Sequence, residues 1–185
     1  MVLPHSLTTP SMNARRLTTV LVWAALWCCP VFAQDANKVS NFVRQALAMR
    51  SNAIIAAIIE MPAEKFGFKP QPQDMTFAQL SLHVATTNYL YCSKIGGIAE
   101  PELPKMGDTE AKEKYVERVK SSFDFCTASL AKLDDSSKSE MLTIGDAKTS
   151  RAMAILTLTG TWNDHLALET SYLRANGRVP PTASN

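Results

Sequence analysis

The chain has 185 residues, with 19 lysines and arginines against 17 acidic residues and a formal net charge of +2. Basic residues occur only as scattered pairs, which argues against a nucleic-acid-binding surface, because such a surface gathers a positive excess on one face. The length fits one domain that can bury a sizeable core without needing disulfides or metal ions for stability.

The N-terminal segment has the three-part pattern of a secretory signal peptide. Arg15 and Arg16 form a positive n-region, residues 17–27 form an apolar h-region, and Ala33 stands at a permitted cleavage point. We therefore predict a signal peptide over residues 1–33. Its apolar run is too short to span about 30 Å of hydrocarbon as a helix.

Cleavage leaves residues 34–185 as one mature domain that we expect to be secreted or periplasmic. It removes two arginines and no acid, so the mature charge is 17 − 17 = 0. No stable membrane span is expected after cleavage, since no later segment reads as one.

Two cysteines, Cys92 and Cys126, remain in the mature domain. A disulfide between them closes a loop of about 34 residues and stabilises the fold by on the order of 3 kcal/mol. The alternative is a pair of buried thiols that pack as small hydrophobic groups. We favour the disulfide because both residues fall on helices expected to be neighbours.

Two amphipathic helices are predicted in the first half of the mature chain. The first begins at Lys38 and ends before Pro62, and an extended link with one glycine and two prolines follows at 67–72. The second begins at Thr76, which forms a capping box with the glutamine three residues later, and ends at Gly96-Gly97.

Two further helices are predicted in the second half. Asp108 is the expected N-cap of the third helix, which the polar run 134–137 ends. Thr149 or Ser150 caps the fourth helix, which extends to Ala175. With no alternating strand pattern, the four segments predict an all-α four-helix bundle.

The mature domain has two histidines, His83 on the second helix and His165 on the fourth. Thr161 and Glu169 lie one turn before and one turn after His165, on the same helix face. Imidazole is a common ligand for zinc, nickel or iron, and bundles build metal sites from facing helices. The alternative for each histidine is a core residue satisfied by one hydrogen bond.

Short motifs along this chain resemble those of DinB-family proteins. The motifs are Phe68-Lys69-Pro70, Thr76-Phe77-Ala78-Gln79-Leu80 with His83-Val84-Ala85, and His165 followed by Tyr172-Leu173-Arg174 and Asn176-Gly177-Arg178-Val179-Pro180-Pro181. They occur in the family's order and on the matching helices, over residues 37–181.

The resemblance implies a four-helix bundle, often a homodimer, with a divalent metal held by three histidines. It also implies thiol transferase activity, or metal-dependent isomerase or hydrolase activity, on an unidentified small molecule. His83 matches the first ligand and His165 the last, whereas the middle ligand falls on Thr161. A threonine hydroxyl is a poor ligand for a soft or borderline ion.

Glu169 offers a carboxylate that completes a set of two histidines and one acid, so the predicted metal site is His83, His165 and Glu169. From residue type alone we favour the alternative that Glu169 is a solvated acid on the helix surface. Trp162 and Tyr172 are interpreted as core or interface aromatics.

The sequence therefore predicts a DinB-like protein of unknown specific activity that binds a divalent metal (zinc, nickel or iron) and resembles hydrolases or transferases. Export disfavours transfer to low-molecular-weight thiols, which are chiefly intracellular. The alternative is a non-catalytic exported binding or interaction module that has lost the metal. Haem between His83 and His165 is a third reading, although no Cys-x-x-Cys-His attachment motif is present.

Overall fold

A computed structural model describes residues 37–181, and the predicted signal peptide lies outside this range. The described residues form four long helices, α1 (Lys38–Glu60), α2 (Phe77–Gly96), α3 (Lys112–Leu130) and α4 (Arg151–Ala175), with short 3₁₀ turns at Ala63–Lys65 and Asp135–Ser137. The predicted all-α four-helix class is confirmed for this part of the chain.

The helices pack around one apolar core. α2 packs against α3 and α4, and α1 packs against α3 and α4. The largest fully buried apolar side chains come from all four helices and the loop after α1; they include Val43, Ile54, Ile58, Met61, Phe77, Ile95, Tyr115, Leu130, Leu158, Trp162 and Leu173. Trp162 is a core residue, as the sequence predicts.

The sequence analysis expects no segment of membrane-spanning length after residue 33, and α1 departs from that expectation. Among residues 37–181, α1 has the length and apolar composition that a membrane-crossing helix needs. Its inner face, with Val43, Ile54 and Ile58 fully buried, packs in the bundle core. A core helix of a globular domain can meet the same criterion, and we interpret α1 in that way.

The N-terminus of α1 is capped from a distant part of the chain. Asp135 accepts hydrogen bonds from the backbone N–H groups of Val39 (2.9 Å) and Ser40 (2.8 Å) and from the Ser40 hydroxyl (2.6 Å). These bonds satisfy donors that a helix start leaves free. α3 ends at Leu130, before the polar run 134–137 that was expected to end it. That run instead provides the cap for the N-terminus of α1.

α2 begins and ends where the sequence predicts. Gln79 N–H donates to the Thr76 hydroxyl at 3.0 Å, and the Gln79 side chain accepts from Thr76 N–H at 2.9 Å, which completes the capping box. Gly97 ends the helix with φ of 67°, a backbone conformation that glycine adopts without strain.

The predicted start of the third helix is wrong. Its N-cap is Ala111 instead of Asp108, and Asp108 instead accepts a hydrogen bond from the Gln79 side chain at 3.0 Å. The segment before α3 is held by Tyr115, whose hydroxyl donates to Gly107 O and accepts from Glu110 N–H, both at 2.9 Å. These bonds keep residues 107–110 out of the helix.

A β-hairpin that the sequence analysis did not predict precedes α4. Strands β1 (Met141–Ile144) and β2 (Ala147–Ser150) pair antiparallel, with Ile144 opposite Ala147. The two turn residues are Gly145, with φ of 58°, and Asp146. Ser150 then caps α4 by accepting from Met153 N–H at 3.2 Å, as one of the two predicted capping residues.

The predicted disulfide is present. Cys92 on α2 and Cys126 on α3 are bonded, with their Cα atoms 5.1 Å apart. Both residues are fully buried, so the bond joins the two helices inside the core.

Candidate functional site

The structure brings the two predicted histidines together across α2 and α4. Their ring centres are 5.1 Å apart and the rings meet edge to face at 77°. His165 is 4% exposed, whereas His83 is exposed at the surface. The pair therefore has one buried imidazole and one that solvent reaches.

The environment of His165 keeps its imidazole neutral at neutral pH. Burial is the main cause that lowers its pKa from 6.5 to about 4, and His83 lowers it further, while Asp164 opposes the shift. The ring nitrogen Nδ1 is buried and has no hydrogen-bond partner. A neutral imidazole has a lone pair that can bind a cation.

Thr161, at the position of the middle ligand, uses its hydroxyl proton within α4. The hydroxyl donates to the Thr157 carbonyl oxygen at 2.9 Å. A backbone-bonded threonine hydroxyl is a weak substitute for an imidazole.

Glu169 is not the solvated surface acid that the sequence analysis favoured. It is fully buried, and neither carboxylate oxygen has a hydrogen-bond partner. Burial raises its pKa well above 4.5, because a buried site without partners disfavours the charged carboxylate. Its spacing from Leu158, Trp162 and His165 indicates that it lies on the buried face of α4. The preference for a surface position, which was based on its charged residue type, was wrong.

A buried polar network beside the histidine pair fixes α4 against its neighbours. Trp162 Nε1 donates to Asn88 Oδ1 at 2.7 Å, and Asn88 Nδ2 donates to Ser122 Oγ at 3.0 Å. The bonds link α4, α2 and α3 one turn from His165. Asn88 is a positioning residue that the sequence analysis missed, since nothing in its spacing separates it from other helix residues.

The separation of the two histidine rings is that of an ordinary edge-to-face ring contact, and it also matches two imidazoles that share one ion. Two imidazoles that bind one ion at about 2.1 Å in tetrahedral geometry have ring centres about 5 Å apart, close to the 5.1 Å observed here. Within residues 37–181, no group of three or more His, Cys, Asp or Glu side chains is placed to hold an ion.

The helix arrangement of the described residues is that of DinB-like proteins of known structure. A DinB-like protein from Bacillus subtilis, YjoA, superposes with a TM-score of 0.62 at 17% identity, over 75% of this chain and 94% of that one. A DinB-like protein from Bacillus cereus superposes with a TM-score of 0.61 at 14% identity, over 75% and 93% of the two chains.

These similarities establish the fold and leave the activity open, because the identities are low. Neither the protein-family models nor the curated proteins include a match to the sequence.

Proposed function

We propose that this protein is an exported DinB-like domain that binds one divalent metal ion between His83 and His165. The observation that carries the proposal is the edge-to-face approach of the two rings at 5.1 Å. A core histidine with an ordinary structural role finds a hydrogen-bond partner for its buried nitrogen. Nδ1 of His165 has none, which supports a ligand role for this residue.

Glu169 is the proposed third ligand. It is one turn from His165 on α4, and a buried carboxylate without partners is costly unless something compensates it. A turn of its side chain toward the histidines, with loss of its proton, supplies the acid of a two-histidine, one-carboxylate set.

A bound divalent ion in such a site polarises or deprotonates a coordinated water or thiol. The chain's own contribution is to hold one neutral, desolvated imidazole and one solvent-accessible imidazole at a fixed spacing. Access from solvent at His83 leaves room for a small-molecule substrate. Hydrolase-like chemistry fits an exported protein better than thiol transfer.

Calorimetric titration of the mature protein, residues 34–185, with zinc, nickel and ferrous iron tests the proposal. We expect one ion per chain, lost in His165→Ala and unchanged in Asn163→Ala, a matched change at an exposed polar residue of α4. Thr161→His restores a third imidazole and is expected to tighten binding at least tenfold. Equal metal binding by the wild type and His165→Ala contradicts the proposal.

A second candidate is a non-catalytic binding module that keeps the bundle without the metal. The hydrogen bond from Thr161 to Thr157 and the absence of a three-ligand set among residues 37–181 favour it. On this reading, added metal leaves the melting temperature unchanged. His165→Ala then alters stability alone.

Export is part of the proposal and rests on the N-terminal pattern together with the core disulfide. Structural disulfides persist in oxidising compartments and are rare in the cytosol. Expression of the full chain in a bacterial host, followed by mass measurement of the periplasmic protein, is expected to give a chain that begins at Gln34. Retention of the full-length chain in the cytoplasm contradicts it.

A further inference from the structure

A cavity of about 390 Å³ lies between α2, α4 and the loop that precedes α2. Its apolar lining includes Met75, Leu80, Leu168 and the ring of Tyr172. Met75 and Leu168 are 44% and 48% exposed, so apolar surface remains open to solvent at the cavity. The volume is at the small end of the range for small-molecule pockets, about 300–1,000 Å³.

The loop side of the cavity is fixed in place. The Tyr172 hydroxyl donates to the Met75 carbonyl oxygen at 2.7 Å, which ties the loop to α4. Phe68 and Phe77 pack on the Tyr172 ring, with ring centres 6.1 and 5.8 Å away. The cavity is therefore largely formed before a ligand arrives.

Asp74 is the one charged residue among the described residues that line the cavity. It is half-buried, and its Oδ2 accepts from Gln71 N–H at 3.1 Å. None of the ion pairs within residues 37–181 involves it. Its charge acts on Tyr172, because together with burial it raises the pKa of that phenol.

Two residues that line the cavity lie one helix turn from the two histidines. Leu80 precedes His83 by three residues on α2, and Leu168 follows His165 by three residues on α4. Residues three apart are neighbours on a helix surface. Neither histidine lines the cavity itself, whereas residues one helix turn from each of them do.

We infer that this cavity binds a small amphipathic amine, whose ammonium group pairs with Asp74 and whose apolar body lies against Leu80, Leu168 and Tyr172. The lining is largely apolar, with Gln71 and Ser171 as its neutral polar residues. Its one carboxylate forms no ion pair within residues 37–181, so the cavity favours a ligand with a cationic end and an apolar body. The Tyr172 ring adds an attractive face for the same cation. The inference names a substrate class for the proposed metal site. Any reaction of the bound amine depends on that proposed function, whereas binding of the amine does not.

Binding itself needs no metal, so the test separates the two proposals. Metal-free mature protein is titrated with 2-phenylethylamine, 2-phenylethanol and phenylacetate, and amide shifts are followed by NMR. We expect the amine to bind at least about tenfold more tightly than the alcohol, the value of one charge-assisted hydrogen bond. Phenylacetate is expected not to bind.

Two pairs of variants make the test specific. Asp74→Asn keeps the side-chain size and the bond from Gln71, and should reduce the affinity for the amine to that for the alcohol, whereas Asp146→Asn at the hairpin turn should change nothing. Leu168→Trp fills the cavity and should abolish binding. Leu156→Trp, at an exposed position of the same helix, should not.

Equal affinity for amine and alcohol, an unchanged amine affinity in Asp74→Asn, or no binding of any probe at millimolar concentration overturns the inference. His165→Ala is expected to keep amine affinity while it loses the metal. A protein that binds the amine and no metal retains this inference and removes the metal site.

Discussion

Replacement of Glu169 by leucine is expected to stabilise the metal-free protein. The native carboxylic acid is fully buried without a hydrogen-bond partner, and such a group costs roughly 1–3 kcal/mol. Urea unfolding measures the gain. Glu169→Gln keeps a polar group in the same place and serves as the control, with little gain expected.

The same pair of variants bears on the metal proposal. Glu169→Leu should weaken metal binding while it stabilises the empty protein, a split that a purely structural residue does not give. A loss of stability in Glu169→Leu without metal contradicts the assignment of an uncompensated acid.

Stability at acidic pH should depend on His165. Its pKa is about 4 in the folded protein against 6.5 for a free histidine, so the unfolded chain takes up the proton first. The free energy of unfolding therefore falls as pH drops from 6.5 to 4. His83 and Asp164 are the neighbouring titratable groups, and they act in opposite directions.

Glu169 gives the opposite trend, because its raised pKa makes the protein lose stability as pH rises above 4.5. The His165 effect is therefore best measured in Glu169→Leu, by urea unfolding at a series of pH values. The fall between pH 6.5 and 4 should be smaller in Glu169→Leu/His165→Asn, and the remainder comes from acids such as Asp135, whose pKa is lowered by its hydrogen bond with Ser40. A fall of the same size in the double variant argues against a role for His165.

At the residue scale, the spacing along α4 contains information that the sequence analysis did not use. The spacing of Leu158, Trp162, His165 and Glu169 indicates a single buried face, and the structure agrees. Glutamate is seldom buried without a partner, so residue type alone favoured the surface. Periodicity was the better guide because packing of the whole helix determines which face is buried.

Among the helices, the contact between α2 and α3 depends on Gly96. A Cβ at this position would overlap the Ser129 carbonyl group, with its carbon 2.9 Å away. We expect Gly96→Ala to destabilise the protein by about 1–3 kcal/mol, since the carbonyl carbon and oxygen of Ser129 are backbone atoms that cannot move aside alone. Thermal or urea unfolding measures the effect.

Gly67→Ala is the matched control for this substitution. Nothing lies within 4 Å of a Cβ built at Gly67, and its φ is not positive. Its stability should be close to that of the wild type. Equal effects of the two substitutions contradict a close approach of α2 to α3 at Gly96.

Element boundaries were predictable where one local interaction sets them. Thr76 and Gln79 begin α2 by bonding each other, and both residues are visible in the sequence. The start of α3 was not predictable in this way, because the loop before it is held by hydrogen bonds to Tyr115, a residue of α3 itself. The cap that Asp135 places on α1 joins residues 95 apart or more, beyond any local pattern.

The hairpin before α4 had a signal that the sequence analysis did not use. Gly145-Asp146 separates two four-residue segments, and a two-residue Gly-Asp link is a known hairpin pattern. The short strands give little periodicity of their own, and they are held by packing against α2 and α4.

At the scale of the whole molecule, the fold could be predicted from the four amphipathic helical segments, while the site could not. A bundle brings the faces of α2 and α4 together, which explains the convergence of His83 and His165. Whether a third ligand joins them depends on side-chain rotation at Glu169. Helix spacing contains no information about that rotation.

The Cys92–Cys126 bond should contribute a large part of the total stability. It closes a loop of 34 residues, which corresponds to roughly 3–4 kcal/mol in the chain-entropy model. Urea unfolding of the oxidised protein and of a Cys92→Ala/Cys126→Ala variant measures the difference. Loss of the buried sulfurs leaves small cavities, so the variant alone overstates the effect of the bond.

Comparison of the oxidised wild type with the reduced wild type removes that error, because the side chains stay the same. We expect most of the stability difference to persist in this comparison. Since both sulfurs are buried in the core, reduction in the folded state should also be slow and should require unfolding. Rapid reduction by millimolar dithiothreitol under native conditions would show that α2 and α3 separate readily, contrary to the close packing at Gly96 and Ser129.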